Sequence, residues 1–168
     1  MKFLFSTNEK WYSKAHRYIT GEPFTHVGIL FFEGGANIVV ECTKPAGKAS
    51  HADHWNKKYQ TVEKIDFPLL PRDETHAYAD CIFDSLDVPY DWGAYYYAWI
   101  AGLKKYLFNC PYPEKNKWSG NGRWCTEVAG SVAPYLKGFY GVDISDLQLD
   151  AMTPYMLYKA LKVRGNMY

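Results

Sequence analysis

The segment Gly120-Asn121-Gly122-Arg123-Trp124-Cys125-Thr126-Glu127-Val128-Ala129 runs a glycine-rich loop into a predicted helix, with Cys125 in its first turn. Unpaired amides and the helix dipole stabilise a thiolate at that position. The same amides can donate to an oxyanion. The thiolate is the nucleophilic form of cysteine, so the position suits covalent acyl chemistry. A cysteine at a buried helix start can equally be a small core residue.

A base for such a nucleophile is offered by a second segment. Thr25-His26-Val27-Gly28-Ile29-Leu30-Phe31-Phe32 and Asn37-Ile38-Val39-Val40-Glu41-Cys42 are two apolar, β-rich runs on either side of Gly34-Gly35. That pattern predicts a hairpin. With the two glycines as its turn, Glu33 faces Ala36, Gly28 faces Glu41 and His26 faces Thr43. His26 and Glu41 then become diagonal neighbours on one face, within reach of a long side chain. A slip of one residue would separate them. A carboxylate bonded to an imidazole fixes its tautomer and stabilises its cation. Gly28 between them leaves space for something to approach. A structural histidine beside a strand-end glutamate is the plain alternative.

Several elements must position these residues. Lys2 to Phe5 reads as a strand, and Asn8 to Ile19 as a helix with Trp11, Ala15, Tyr18 and Ile19 on its apolar side. Thr20-Gly21-Glu22-Pro23 ends that helix. The first hairpin strand is apolar on both faces, which predicts a central place in its sheet. Residues 59 to 67 read as a third strand anchored by Val62 and Ile65 and stopped by Pro68 and Pro71. Arg72 to Leu86 reads as a helix, and Val88 to Asp91 as a turn. Asp91 caps a helix from Trp92 to Phe108. Residues 109 to 122 form a loop, and Trp124 to Leu136 is helical. Thr153-Pro154 opens a last helix to about Lys162. Helices flanking a small antiparallel sheet give an α+β class.

In this order the motifs resemble the circularly permuted branch of the papain-like, NlpC/P60-type superfamily. That branch includes YiiX/YaeF-like cysteine hydrolases and, more distantly, lecithin–retinol acyltransferase-like proteins. Thr25-His26-Val27-Gly28-Ile29 is similar to its histidine strand and Val39-Val40-Glu41 to its acidic strand. Pro89-Tyr90-Asp91-Trp92 resembles the opening of the helix ahead of the nucleophile. Trp124-Cys125-Thr126-Glu127-Val128 resembles the nucleophile helix, and Thr153-Pro154 with Leu157-Tyr158 its close. The resemblance covers nearly the whole chain, residues 1–168, as one permuted papain-like domain. It implies Cys125 as nucleophile, His26 as base and then acid, and Glu41 as the residue that orients His26. The Cys125 amide would be one oxyanion donor, with no second identified. Asp91 would be a structural cap, and Glu127 a helix-surface or cap residue. A small chain of this type also looks like a phage-encoded or bacterial accessory protein.

Composition sets the outer bounds. The chain has 168 residues, 48% hydrophobic and 22% charged, which is globular rather than disordered. A net charge of +1 demands neither nucleic acid nor an anionic membrane as partner. The 18% aromatic content suggests a stiff core and an aromatic-lined cleft. The start has too short an apolar stretch for a signal peptide, and no run reaches the length of a membrane span. A cytoplasmic place, in a host cell or virion if phage-encoded, is the default expectation. Four Cys are too few and irregular for a disulfide scaffold, and Cys42 reads as core. His51-Ala52-Asp53-His54 reads as a solvated loop rather than a metal site, since zinc needs three or four convergent ligands. His16 and His76 read as surface residues. Tyr95, Tyr96, Tyr97 and Trp99 read as packing or cleft wall. The runs Lys104-Lys105 and Lys115 to Lys117 read as solvated charges. No cofactor or nucleic-acid fingerprint is present.

The leading expectation is a cysteine hydrolase of peptidase or amidase type, with a Cys–His–Glu triad and a thioacyl intermediate. Its substrate would be a peptide, a cell-wall peptide, or an acyl amide or ester. The alternatives are a non-catalytic structural or host-interaction protein, and a thiol acyltransferase of acyl or lipid substrates.

Overall fold

Two glycines set the register on which the site depends. In the computed structural model, which describes residues 1–111, 113, 115–118 and 120–165, Gly34 and Gly35 both have positive φ, 59° and 79°. Two successive left-handed residues match the twist of the flanking strands, and glycine adopts them without a Cβ clash. The hairpin pairs β2 (His26–Glu33) with β3 (Ala36–Cys42) as expected, from Glu33 with Ala36 to Ile29 with Val40.

The hairpin lies within a five-stranded antiparallel sheet. β1 is Lys2–Thr7, β4 Gly47–His51 and β5 Gln60–Asp66. The order β4-β3-β2-β1-β5 puts β2 in the centre, as its two apolar faces predict. In β5, Ile65 is buried but Val62 is exposed. Side chains alternate along a strand, so residues three apart cannot share a face.

One face of the sheet carries the main core. Phe3, Phe5, Val27, Ile29, Phe31 and Val40 pack there with residues of the helices that follow. These are α3 (Pro71–Ser85), α4 (Trp92–Phe108), α5 (Ala133–Tyr140) and α6 (Pro154–Arg164). The other face carries a smaller cluster of Leu4, Val39, Trp55 and Tyr59. Its cover is α2 (Ala52–Lys58), with Tyr59 as the residue that ends it. Neither β4 nor α2 is predicted from the sequence. The residues expected as a solvated loop are the end of β4 and the first turn of α2. His51 Nδ1 accepts the Asp53 N–H at 3.3 Å.

Two more expectations are corrected. The expected helix 124–136 is a 3₁₀ helix, Cys125–Val132, followed by α5. Thr126, Val128, Gly130 and Val132 are weak α-formers. Six of the eight residues are buried, so the segment threads the core instead of laying one face on it. In α1 (Trp11–Thr20) the buried residues are Ser13 and His16, while Trp11 and Tyr18 are 78% and 77% exposed. Trp11 and Tyr18 face solvent while Ala15 and Ile19 are half-buried, because α1 packs Ser13 and His16 beside α4 and a cleft. His16 is therefore buried, not a surface residue. His76 is exposed.

α4 begins as predicted. Asp91 Oδ1 accepts the Ala94 N–H at 2.8 Å, and Oδ2 accepts the Gly120 N–H at 2.8 Å. One carboxylate thus caps a helix and ties down the loop that leads to Cys125. Tyr112, Glu114 and Ser119 of that predicted loop lie outside the described residues. Beyond Gly102, α4 extends into solvent, with Lys104, Tyr106, Leu107 and Phe108 exposed. Thr153 Oγ1 accepts the Met156 N–H at 3.2 Å and opens α6. No described helix is long and apolar enough to cross a membrane.

Candidate active site

His26 begins β2 and Glu41 stands next to last in β3. The register puts them diagonally on the face covered by α2, and their side chains meet. His26 Nε2 and Glu41 Oε2 are 2.6 Å apart, with the residues 7% and 0% exposed. The Tyr59 hydroxyl donates to the same carboxylate oxygen at 3.1 Å. Glu41 Oε1 faces Lys48 Nζ at 3.4 Å and Lys58 Nζ at 3.9 Å. Burial pushes the Glu41 carboxyl up. The hydrogen bond and charge of His26, with Lys58 and Lys48, outweigh it and hold the group at about 2. Glu41 is therefore ionised in neutral solution; its Oε2 is hydrogen-bonded, while Oε1 faces the two ammonium charges without a hydrogen bond.

The imidazole is clamped as well as bonded. The Tyr59 ring stacks on it at 4.7 Å and the Trp55 ring at 5.5 Å. Trp55 Nε1 donates to Thr61 Oγ1 at 3.0 Å, which fixes the indole. A Cβ at position 28 would come within 2.7 Å of the Trp55 ring. The space that Gly28 leaves is filled by this tryptophan, not by a ligand. With Nε2 on Glu41, Nδ1 is the ring nitrogen left for other chemistry.

Cys125 lies on the main-core side of β2, in the cluster that holds Val27, Val40 and Cys42. It is 1% exposed. Burial raises its thiol pKa well above the ordinary range. Hydrogen bonds from the Val27 and Cys125 backbone amides pull the other way without overcoming it. Burial thus opposes the thiolate that a helix start was expected to favour. No hydrogen bond joins Cys125 Sγ to His26 among the described residues. The sulfur is near enough to Tyr59, Tyr90 and Tyr95 that a thiolate there would add to the rise that burial gives their hydroxyl pKa.

Those three tyrosines line a cleft of about 230 Å³ together with His26, Thr43, His16 and Trp124. Tyr12 completes its aromatic wall, as the aromatic content suggested. Cys125 does not itself line the cleft, whereas Trp124 beside it does. The lead-in to the 3₁₀ helix is held firmly. Tyr90 and Arg123 form a bridge, Trp124 Nε1 donates to Met152 O at 3.0 Å, and Glu127 Oε2 accepts the Trp124 N–H at 2.8 Å. Of the two roles expected for Glu127, surface residue or cap, it takes the cap, and Cys42 is core, as expected.

The sequence reading missed Trp55, Tyr59, Lys48 and Lys58. A signal existed. Trp55 and Tyr59 are four apart, the spacing that stacks two side chains on one helical face. The flanking His and Lys residues made the segment read as solvated.

Comparisons with known proteins give a fold. No protein-family model matches the chain, and no curated protein matches it significantly. The crystal structure of the metalloprotein YiiX from Escherichia coli O157:H7 is similar to it, with a TM-score of 0.52 and 17% identity. The match covers 99% of this chain and 82% of that one. At that identity the likeness is one of architecture, and this chain has a YiiX-like α+β fold. Among the described residues, no three His, Cys, Asp or Glu side chains converge as a metal ion would need.

Proposed function

We propose that this chain is a cysteine-dependent hydrolase of amide or ester bonds, one domain of the circularly permuted papain-like, NlpC/P60 type. Cys125 is its nucleophile, His26 its base and acid, and Glu41 the orienting carboxylate. The observation that carries the reading is the buried 2.6 Å His26–Glu41 contact at the edge of an aromatic cleft. The Cys125 sulfur against the Val27 amide, one residue from His26, supports it.

The geometry supports the following roles. Glu41 holds His26 through Nε2 and stabilises the imidazolium that forms when Nδ1 takes the thiol proton. The sulfur then attacks the substrate carbonyl, forming a C–S bond. The Cys125 and Val27 amides are the candidate donors to the oxyanion. Collapse expels the amine or alcohol, which takes the proton from His26. Water, deprotonated by His26, attacks the thioester, and the departing sulfur recovers a proton. Because the thiol is buried, and burial disfavours its thiolate, its exposure and deprotonation belong to the substrate-bound state.

The test is an acid-quenched reaction with the p-nitrophenyl ester of N-acetylglycine, followed by peptide mass mapping. The expected result is one acyl adduct, on Cys125. It is absent in Cys125→Ala and forms about a hundredfold more slowly in His26→Ala. A folded protein that acylates elsewhere, or not at all, would sink the assignment and leave a binding protein. If an added amine captures the acyl group in preference to water, the enzyme is an acyltransferase.

A further inference from the structure

The cleft beside His26 has a distinct charge. Lys10, Lys44 and Lys58 line it, and among the described residues no carboxylate does. Lys44 Nζ sits 3.8 Å from the centre of the Trp92 ring and 5.7 Å from that of Tyr12. Lys10 Nζ approaches the same Tyr12 ring at 5.9 Å. Neither lysine forms a salt bridge with a described residue. Lys58 donates to Thr43 Oγ1 at 3.3 Å and stands 3.9 Å from Glu41, whose charge is already shared with His26 and Lys48. His16, buried in the same wall, has its Nδ1 without a partner. Lys10 and Lys44 have no acidic partner among the described residues, and the one carboxylate beside Lys58 is shared with His26 and Lys48, so the cleft carries uncompensated positive charge.

We propose that Lys10, Lys44 and Lys58 form an anion subsite, and that the substrate of the adjacent site carries a carboxylate or phosphate group that binds there. This rests on the hydrolase reading for the word substrate, but the subsite stands on its own residues. Aromatic walls fix the Lys44 head by cation–π attraction, so less freedom is lost when an anion arrives. Partial burial and the neighbouring Lys10 charge both disfavour the charged form of Lys44. A bound anion relieves the repulsion. Lysine supplies point charges without the planar fork of arginine, so the subsite reads charge more than shape.

The experiment uses the full chain carrying Cys125→Ala, so that binding is read without chemistry. Tryptophan fluorescence reports occupancy through Trp92 and Trp124. The probes are N-acetylglutamate, its neutral diamide and inorganic phosphate. The expected result is saturable binding of an anion, with the diamide at least about tenfold weaker. Lys44→Met and Lys10→Met should each weaken anion binding about three- to tenfold. Lys104→Met, on the exposed end of α4, should leave it unchanged, and raised salt should weaken it. N-acetylglutamate binding shows a carboxylate source, and phosphate binding alone a phosphate source. Equal binding of acid and diamide, or indifference to both cleft lysines, overturns the subsite. Failure of the Cys125 acylation test would overturn the hydrolase reading and leave this result intact.

Discussion

At the scale of single residues, the site separates two tasks that sequence pattern alone runs together. Orienting His26 falls to Glu41 and Tyr59, and the thiol is kept apart under the Val27 amide. Tyr59→Phe removes one neutral-to-charged hydrogen bond and keeps the stacked ring. If the chain is the hydrolase proposed, its turnover should therefore fall about three- to tenfold. Glu41→Gln keeps the shape but removes the charge that stabilises imidazolium, and should cost about a hundredfold or more. If the two variants are equally active, Glu41 is not the orienting residue. Alkylation rates test the thiol's burial. Cys110 is exposed whereas Cys42, Cys81 and Cys125 are buried. In the free protein, iodoacetamide should label Cys110 first. Fast labelling of Cys125 would contradict a protonated, enclosed thiol. The pairing of His26 with Glu41 was legible because strand register is arithmetic once a two-glycine turn is recognised. Tyr59 was missed because its one signal, the four-residue spacing from Trp55, lies in a short segment whose flanking His and Lys residues read as solvated.

At the scale of elements, local rules were legible and packing was not. Asp91 before α4 and Thr153 before α6 act as caps because a side-chain oxygen meets an orphan amide, a strictly local event. The 3₁₀ helix at Cys125 and the reversed face of α1 depend on what lies opposite, which the sequence of each element does not contain. Asp91 offers the clearest test. Its two oxygens serve different segments, so Asp91→Ala should lower stability to urea by about 1–3 kcal/mol, more than a lone cap. It should also raise hydrogen exchange at both Ala94 and Gly120. Exchange rising at Ala94 alone would show that the loop before Cys125 is held by other contacts.

At the scale of the whole molecule, two buried groups shape stability against pH in opposite directions. Burial raises Glu22 to about 7 against the hydrogen bond of Thr153 and the charges of Lys105 and Lys159. Its contribution is complete below its ordinary value of 4.5 and is lost as pH rises through 7. Burial lowers His16 to about 4. Its contribution is complete above 6.5 and is lost as pH falls toward 4. From pH 4.5 to 6.5 the two slopes oppose, which predicts a flat stretch in the melting temperature. Glu22→Gln removes one slope. Relative to the natural chain it should gain little or nothing at pH 5 and up to about 3 kcal/mol at pH 8. A difference that does not change between those pH values would show that Glu22 is not buried as a neutral acid. Neither group was legible in the sequence, since burial is a property of the finished molecule.

The indole that fills the hollow over Gly28 has a consequence for descent. Positions 28 and 55 lie on opposite sides of the hairpin turn, yet neither can change freely while the other stays. A lineage that gains a methyl group at 28 must surrender the bulk at 55, and with it the ring that steadies His26. Among chains descended from a common ancestor with this one, the two positions should therefore vary together, and a large residue at both should never be found.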